Sequence, residues 1–133
     1  MPLKQNGRQA GKPRLMVIED DNGIREMLRI ALSIYYDISA FANGDDIAAL
    51  LDKNDPDLLL LDINLPGSDG FRLCESIRSR AKDRGLPILF MTVRRENRSF
   101  LESLESGGDG VITKPFVMKE LVDRIETLLK GRL

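Results

Sequence analysis

Five short apolar runs, each followed by a stretch with helical spacing, recur along the chain: Leu15 to Ile18, Ile38 to Phe41, Leu58 to Leu61, Ile88 to Met91 and Gly110 to Thr113. This alternation predicts a parallel sheet covered by helices on both faces, an α/β chain of (βα)5 form. The third run is four consecutive leucines, the pattern of a central strand buried on both sides rather than of a half-exposed one. Ile24, Met27, Leu28, Ala31 and Leu32 trace one face of a first helix, with Asp21 or Asn22 available to cap it. Ile47, Leu50 and Leu51 mark a second helix after Gly44 and Asp45. Phe71, Cys74, Ile77 and Ala81 mark a third that begins near Gly70, with Cys74 on its core face. Phe100, Leu101 and Leu104 suggest a fourth, stopped by Gly107 and Gly108. Met118, Leu121, Ile125, Leu128 and Leu129 suggest a fifth, entered through Pro115.

With 133 residues, this pattern fills one domain and leaves no room for a second of ordinary size. The first thirteen residues stand apart from it. Lys4, Arg8 and Lys12 are spaced by Gln, Asn and Gly, so residues 1–13 read as a flexible leader and 14–133 as the folded unit. The whole chain carries 20 Lys and Arg against 21 Asp and Glu, a net charge of −1, which gives no support to nucleic-acid binding by bulk charge or to membrane attraction. Beyond Arg14 the balance is 16 bases to 21 acids, so the folded unit is mildly acidic. No apolar stretch approaches the length of a membrane span or forms a secretory h-region, and a cytoplasmic location is expected. The chain has no histidine and one cysteine, which removes ordinary zinc sites, histidine-dependent triads and an internal disulfide.

Carboxylates are therefore the main chemical resource, and they collect where the apolar runs end. Glu19, Asp20 and Asp21 follow the first run, Asp62 the third, Thr92 the fourth and Lys114 the fifth. Ligands of open α/β sheets gather beyond the carboxyl ends of the strands, so neighbouring first and third strands would bring three or more acids to one cleft. Two carboxylates about 5 Å apart repel by roughly 3 kcal/mol at an effective dielectric near 20, a load that a divalent cation relieves. Hard oxygen ligands alone point to Mg²⁺, with Mn²⁺ an acceptable substitute, and to phosphate chemistry. Asp62 is then a candidate nucleophile able to form an aspartyl phosphate, and Thr92 and Lys114 candidate donors to its phosphoryl oxygens. Taken singly, each of these residues has an ordinary structural role open to it, as a helix cap, a loop start or a solvated lysine. Their joint pattern carries the inference.

The segments LMVIEDD (15–21), PDLLLLDINLPGSDGF (56–71), PILFMT (87–92) and GVITKPF (110–116) resemble the response-regulator receiver domain of bacterial two-component signalling. The separations of 42, 30 and 22 residues between Asp20, Asp62, Thr92 and Lys114 fit that family too. The resemblance spans Arg14 to Lys130 and implies a flavodoxin-like, doubly wound sheet of order 2-1-3-4-5 and a cis peptide between Lys114 and Pro115. It implies that Asp62 is the phospho-acceptor and that Glu19 and Asp20 are the acidic metal pair. The backbone carbonyl of Asn64 is a further Mg²⁺ ligand by the same resemblance, and Thr92 and Lys114 are the switch and phosphate-contact residues. The implied donor is a phosphohistidine on a sensor histidine kinase or phosphotransfer protein, and the chain a signalling switch rather than a turnover enzyme, dephosphorylating itself.

Three positions depart from the family pattern. Val93 follows Thr92 where many receivers have Ala or Gly, and its bulk is expected to screen the acyl phosphate from water and small donors. Val111 replaces the aromatic residue that usually reports phosphorylation. Homodimer formation through the fourth helix, fifth strand and fifth helix, common in the winged-helix regulators, finds matching charges in Asp109, Glu120 and Arg124, but Gly110 and Phe100 stand where charges are usual. A Mg²⁺-dependent phosphohydrolase with Asp62 as nucleophile is the alternative, although no cap domain fits this length. A flavodoxin-like electron carrier is disfavoured, since no polar phosphate loop follows the first strand.

Overall fold

The computed structural model describes residues 11–65, 68–80, 83, 85–93 and 107–131. Strand β1 (Arg14–Ile18) leads to helix α1 (Asn22–Leu32), β2 (Asp37–Phe41), α2 (Ile47–Asn54) and β3 (Leu58–Asp62). Two-residue strands β4 (Asn64–Leu65) and β5 (Ser68–Asp69) form a small antiparallel hairpin before α3 (Gly70–Arg78). Then come β6 (Ile88–Thr92), β7 (Gly110–Thr113) and the C-terminal helix, here α4 (Met118–Lys130). The five longer strands are parallel in the order β2-β1-β3-β6-β7, which is 2-1-3-4-5 once the hairpin is set aside. The expected doubly wound α/β class is the observed one.

Strand periodicity explains why the apolar runs are continuous. Met16, Ile18, Leu59, Leu61, Ile88 and Phe90 turn to one face, where α2 supplies Ile47 and Leu51 and α3 supplies Leu73, Cys74 and Ile77. Leu15, Val17, Leu58, Leu60, Leu89, Met91 and Ile112 turn to the other, against Leu28 and Leu32 of α1 and Leu121 and Ile125 of α4. Alternate side chains of one strand feed two cores, so no position between the two ends of β1, β3 or β6 is free to be polar.

Local details depart from the expected ones. Asp21, not Asn22, caps α1, its Oδ1 accepting from the Ile24 N–H at 2.8 Å. Met27, expected on the buried face of α1, is 44 % exposed, because the sheet covers only the arc that Leu28 and Leu32 occupy. The third helix ends at Arg78, and Ala81, expected on its face, lies outside the described residues. So does the predicted fourth helix around Phe100, Leu101 and Leu104, although Gly107, its expected stop, has a φ of +99°. Residues 1–10 of the expected leader are also outside. Lys12 and Pro13 are tied down: the Lys12 ammonium donates to the Ser33 carbonyl, and the Asp37 N–H donates to the Pro13 carbonyl, both at 2.9 Å.

Candidate functional site at the carboxyl ends of the strands

Register decides what meets at this rim. Ile18 pairs with Leu61, so the next residues, Glu19 and Asp62, leave the sheet side by side. Asp62 pairs with Met91 and Thr92 with Thr113, which sets Thr92 one residue and Lys114 two residues further along the same edge. Glu19, Asp62 and Lys114 continue the alternation of Val17, Leu60 and Ile112 and so turn towards the side that α1 and α4 cover. Lys114 is followed by the cis peptide bond to Pro115, and its N–H donates to the Thr92 carbonyl at 2.6 Å.

Glu19 is fully buried, while Asp62 and Thr92 are 4 % and 3 % exposed; Asp20 reaches into solvent. Carboxylate oxygens of Glu19, Asp20 and Asp62 all lie within 4.8 Å of one another. The Lys114 ammonium donates to Glu19 Oε1 and stands 3.6 Å from Asp62 Oδ2. The backbone N–H of Asn64 donates to Asp62 Oδ1 at 3.1 Å, and that of Asp21 to Glu19 Oε2 at 3.2 Å. Asp21, although part of the acidic run, spends its side chain on the α1 cap rather than on this cluster.

The electrostatics of the cluster are out of balance. Burial pushes the Asp62 carboxyl up to about 7, and the neighbouring Glu19 carboxylate reinforces the rise, while the Asn64 N–H and the Lys114 ammonium pull the other way. Among the described residues, one ammonium thus faces three carboxylates, two of them sealed from water. An all-oxygen donor set with surplus negative charge suits a hard divalent cation, and Glu19, Asp20 and Asp62 are the residues fit to hold one.

Two neighbours of the cluster had no sequence signal strong enough to single them out. Gly70 opens α3 directly beneath the acid: a Cβ there would stand 2.6 Å from the Asp62 carbonyl oxygen and 2.9 Å from Ile63 Cα. Arg25 folds back from α1, donating to the Glu19 and Asp20 carbonyls at 2.8 and 3.4 Å and to Asn22 Oδ1. Val93, expected as a screen, is 57 % exposed at the rim. Two of the charges matched to a dimer face are engaged within the chain. Asp109 accepts from Arg78 and from the Ile88 N–H, and Arg124 donates to the Val111 carbonyl.

Comparison with known proteins agrees with this geometry. The family described as the response regulator receiver domain matches residues 15–126. The transcriptional regulatory protein AfsQ1 of Streptomyces coelicolor is 38 % identical over 119 residues, covering 89 % of this chain and 52 % of that protein. The phosphate regulon transcriptional regulatory protein PhoB of Rhizobium meliloti is 34 % identical, again over 89 % of this chain and 52 % of its own length. The chain therefore spans about half the length of these curated relatives. Among solved structures, a putative response regulator from Chloroflexus aurantiacus superposes with a TM-score of 0.84 at 32 % identity, covering 90 % of this chain and 99 % of that one. The BeF3-activated receiver domain of Klebsiella pneumoniae RstA gives 0.79 at 29 % identity, covering 87 % and 97 %. Fold, strand-end chemistry and relatives converge, and the chain belongs to the response regulator receiver domain family.

Proposed function

We propose that this chain is a phospho-accepting switch in the cytoplasm, with Asp62 as the acceptor and residues 14–133 as the receiver unit. The observation that carries the reading is the cluster itself: a buried aspartate at the end of the central strand, two further acids within 4.8 Å of it, and a lysine ammonium alongside. Glu19, Asp20, the Asp62 carboxylate and the Asn64 backbone carbonyl hold a Mg²⁺ ion, or Mn²⁺ in its place. When bound, that ion offsets the charge of the phosphoryl oxygens, so that an anionic nucleophile can approach an anionic donor. An Asp62 carboxylate oxygen attacks phosphorus in a phosphohistidine of a sensor histidine kinase or phosphotransfer protein. The O–P bond forms as the P–N bond breaks, and the donor imidazole leaves with the electron pair and takes up a proton.

Lys114 then exchanges its pairing with Glu19 for a phosphoryl oxygen, and the Thr92 hydroxyl donates to another. The new group adds roughly −1.5 to −2 charges. Two charge-assisted hydrogen bonds at about 1.5 to 3 kcal/mol each supply about 3 to 6 kcal/mol. A 1:99 equilibrium needs roughly 5.5 kcal/mol to invert to 99:1, so the two contacts are of the size a switch requires. The relatives named above are transcriptional regulators about twice as long, which supports an output function carried by chain outside this receiver unit.

Intact-mass analysis after incubation with acetyl phosphate and Mg²⁺ tests the reading. One phosphoryl group per chain is expected, absent in Asp62→Ala and absent in EDTA. An adduct that persists in Asp62→Ala overturns the assignment of the acceptor, and sustained release of phosphate from monoesters would favour the phosphohydrolase instead.

A further inference from the structure

We infer that Arg25 is a positioning residue for the acidic pair: its guanidinium locks the Glu19–Asp20 segment in the orientation that presents both carboxylates to a divalent ion. The inference rests on the function proposed above and names a residue of that site outside its ligands.

The backbone around the pair shows why a lock is needed. The ladder's last bond on this side runs from the Glu19 N–H to the Phe41 carbonyl at 3.0 Å, and the first bond of α1 runs from the Arg25 N–H to the Asp21 carbonyl at 2.9 Å. The carbonyls of Glu19 and Asp20 fall between the two, past the sheet and short of the helix. Rotation of the peptide planes there would swing the very side chains that must converge on Asp62. The guanidinium takes up both carbonyls through Nη1, at 2.8 and 3.4 Å, while Nη2 donates to the Asn22 side chain, which anchors it to the start of α1. A planar fork with five donors can bridge two carbonyls and an amide at once, which a lysine ammonium on a flexible stem cannot do with the same geometry.

The charge of Arg25 makes the inference testable by sign. A guanidinium beside a cation-binding pair opposes the cation, so if Arg25 acted only through its charge, removing it would tighten Mg²⁺ binding. If it acts by holding the backbone, removing it loosens Mg²⁺ binding. Outer contacts that orient metal ligands are typically worth about 10- to 100-fold in affinity.

Mg²⁺ titration calorimetry on the full chain, with urea unfolding in EDTA as a check on the fold, separates the two. Arg25→Met is expected to bind Mg²⁺ about tenfold more weakly, in line with the lower end of that range. Arg25→Lys is expected to recover part of the loss, and Asn22→Ala, which removes only the anchor of the guanidinium, to weaken binding in the same direction. Asn22 is not the α1 cap, so its variant carries the test should Arg25→Met fail to fold. Affinity equal to or tighter than wild type in Arg25→Met, or in Asn22→Ala where the former is unfolded, overturns the inference while leaving the proposed function standing. A wild-type chain that takes up no Mg²⁺ overturns both.

Discussion

Asp62 is held under opposing pulls, and its protonation behaviour follows from them. Its folded carboxyl is raised from 3.8 to about 7, first by burial and then by Glu19. Between those two pH values the folded chain binds more protons at this site than the unfolded one, so this group makes stability fall as pH rises through the window and level off above it. Asp62→Asn removes the penalty. In EDTA above pH 7 the variant is expected to unfold at higher urea than wild type, by a few kcal/mol, since each tenfold change in proton affinity is worth roughly 1.4 kcal/mol. The two should converge below about pH 4, and Mg²⁺ should narrow the gap at high pH. Urea unfolding at pH 4, 6 and 8 checks this; equal midpoints at pH 8 would contradict a buried, under-compensated carboxylate. The same residue shows what sequence could reveal. An acid directly after four leucines is legible as a strand-end group, and so is Lys114 after the fifth run, 52 residues on; that its ammonium stands 3.6 Å from Asp62 while donating to Glu19 is set by strand register and burial.

Elements position the site through the passage from β3 to α3. In six residues from Asn64 to Asp69 the chain makes a hairpin, and the Gly70 N–H then returns to donate to the Ile63 carbonyl at 2.9 Å. Glycine at 70 is required by proximity, since a Cβ would press on the Asp62 carbonyl and on Ile63 Cα, both backbone atoms with little room to give. Gly85 is the contrast: its φ is +77°, but nothing lies within 4 Å of a Cβ placed there. Gly70→Ala is expected to cost about 1 to 3 kcal/mol by overpacking and to reduce phosphoryl uptake by displacing the backbone of Asp62, the proposed acceptor. Gly85→Ala, strained only in its own φ, is expected to cost about 1 kcal/mol and leave uptake unchanged. Urea unfolding and intact-mass phosphoryl uptake measured on both variants would separate the two effects; equal uptake in both would remove the proximity argument. Long periodic elements such as α1 and the four-leucine strand were legible because each must bury a continuous apolar surface. The hairpin was not, because two residues per strand carry no periodicity. Met27 shows the limit of spacing alone, which names a helical stripe but not the width of the sheet that will cover it.

At the scale of the whole molecule, the two ends of the sheet do different work. Among the described residues, the carboxyl rim carries unbalanced charge, and the opposite rim carries a staple. Arg78, at the end of α3, donates to the Gly107 carbonyl at 2.9 Å and pairs with Asp83 and Asp109, while the Asp109 carboxylate also accepts from the Ile88 N–H at 2.8 Å. Gly107 has a positive φ and lies so close to Arg78 that a Cβ would meet its Cγ at 2.8 Å. No local pattern announces this network, since its members lie 5 to 31 residues apart and meet only when β6 and β7 pair. The four steps of β6 from Ile88 to Thr92 separate the staple from the acidic cluster by roughly 13 Å at about 3.3 Å per residue. Sites so far apart, with no partner in common among the described residues, should contribute independently. Arg78→Met is therefore expected to destabilise the chain by about 1.5 to 3 kcal/mol, the worth of its charged hydrogen bonds, with Mg²⁺ affinity unchanged. Combined with Asp62→Asn at pH 8 in EDTA, its cost and the gain from the neutralised acid should add to within about 0.5 kcal/mol. An interaction energy well above that, from urea unfolding of the two single variants and the double, would mean that the two rims communicate through the sheet even without phosphate. The staple would then belong to the switch rather than to the scaffold that holds it.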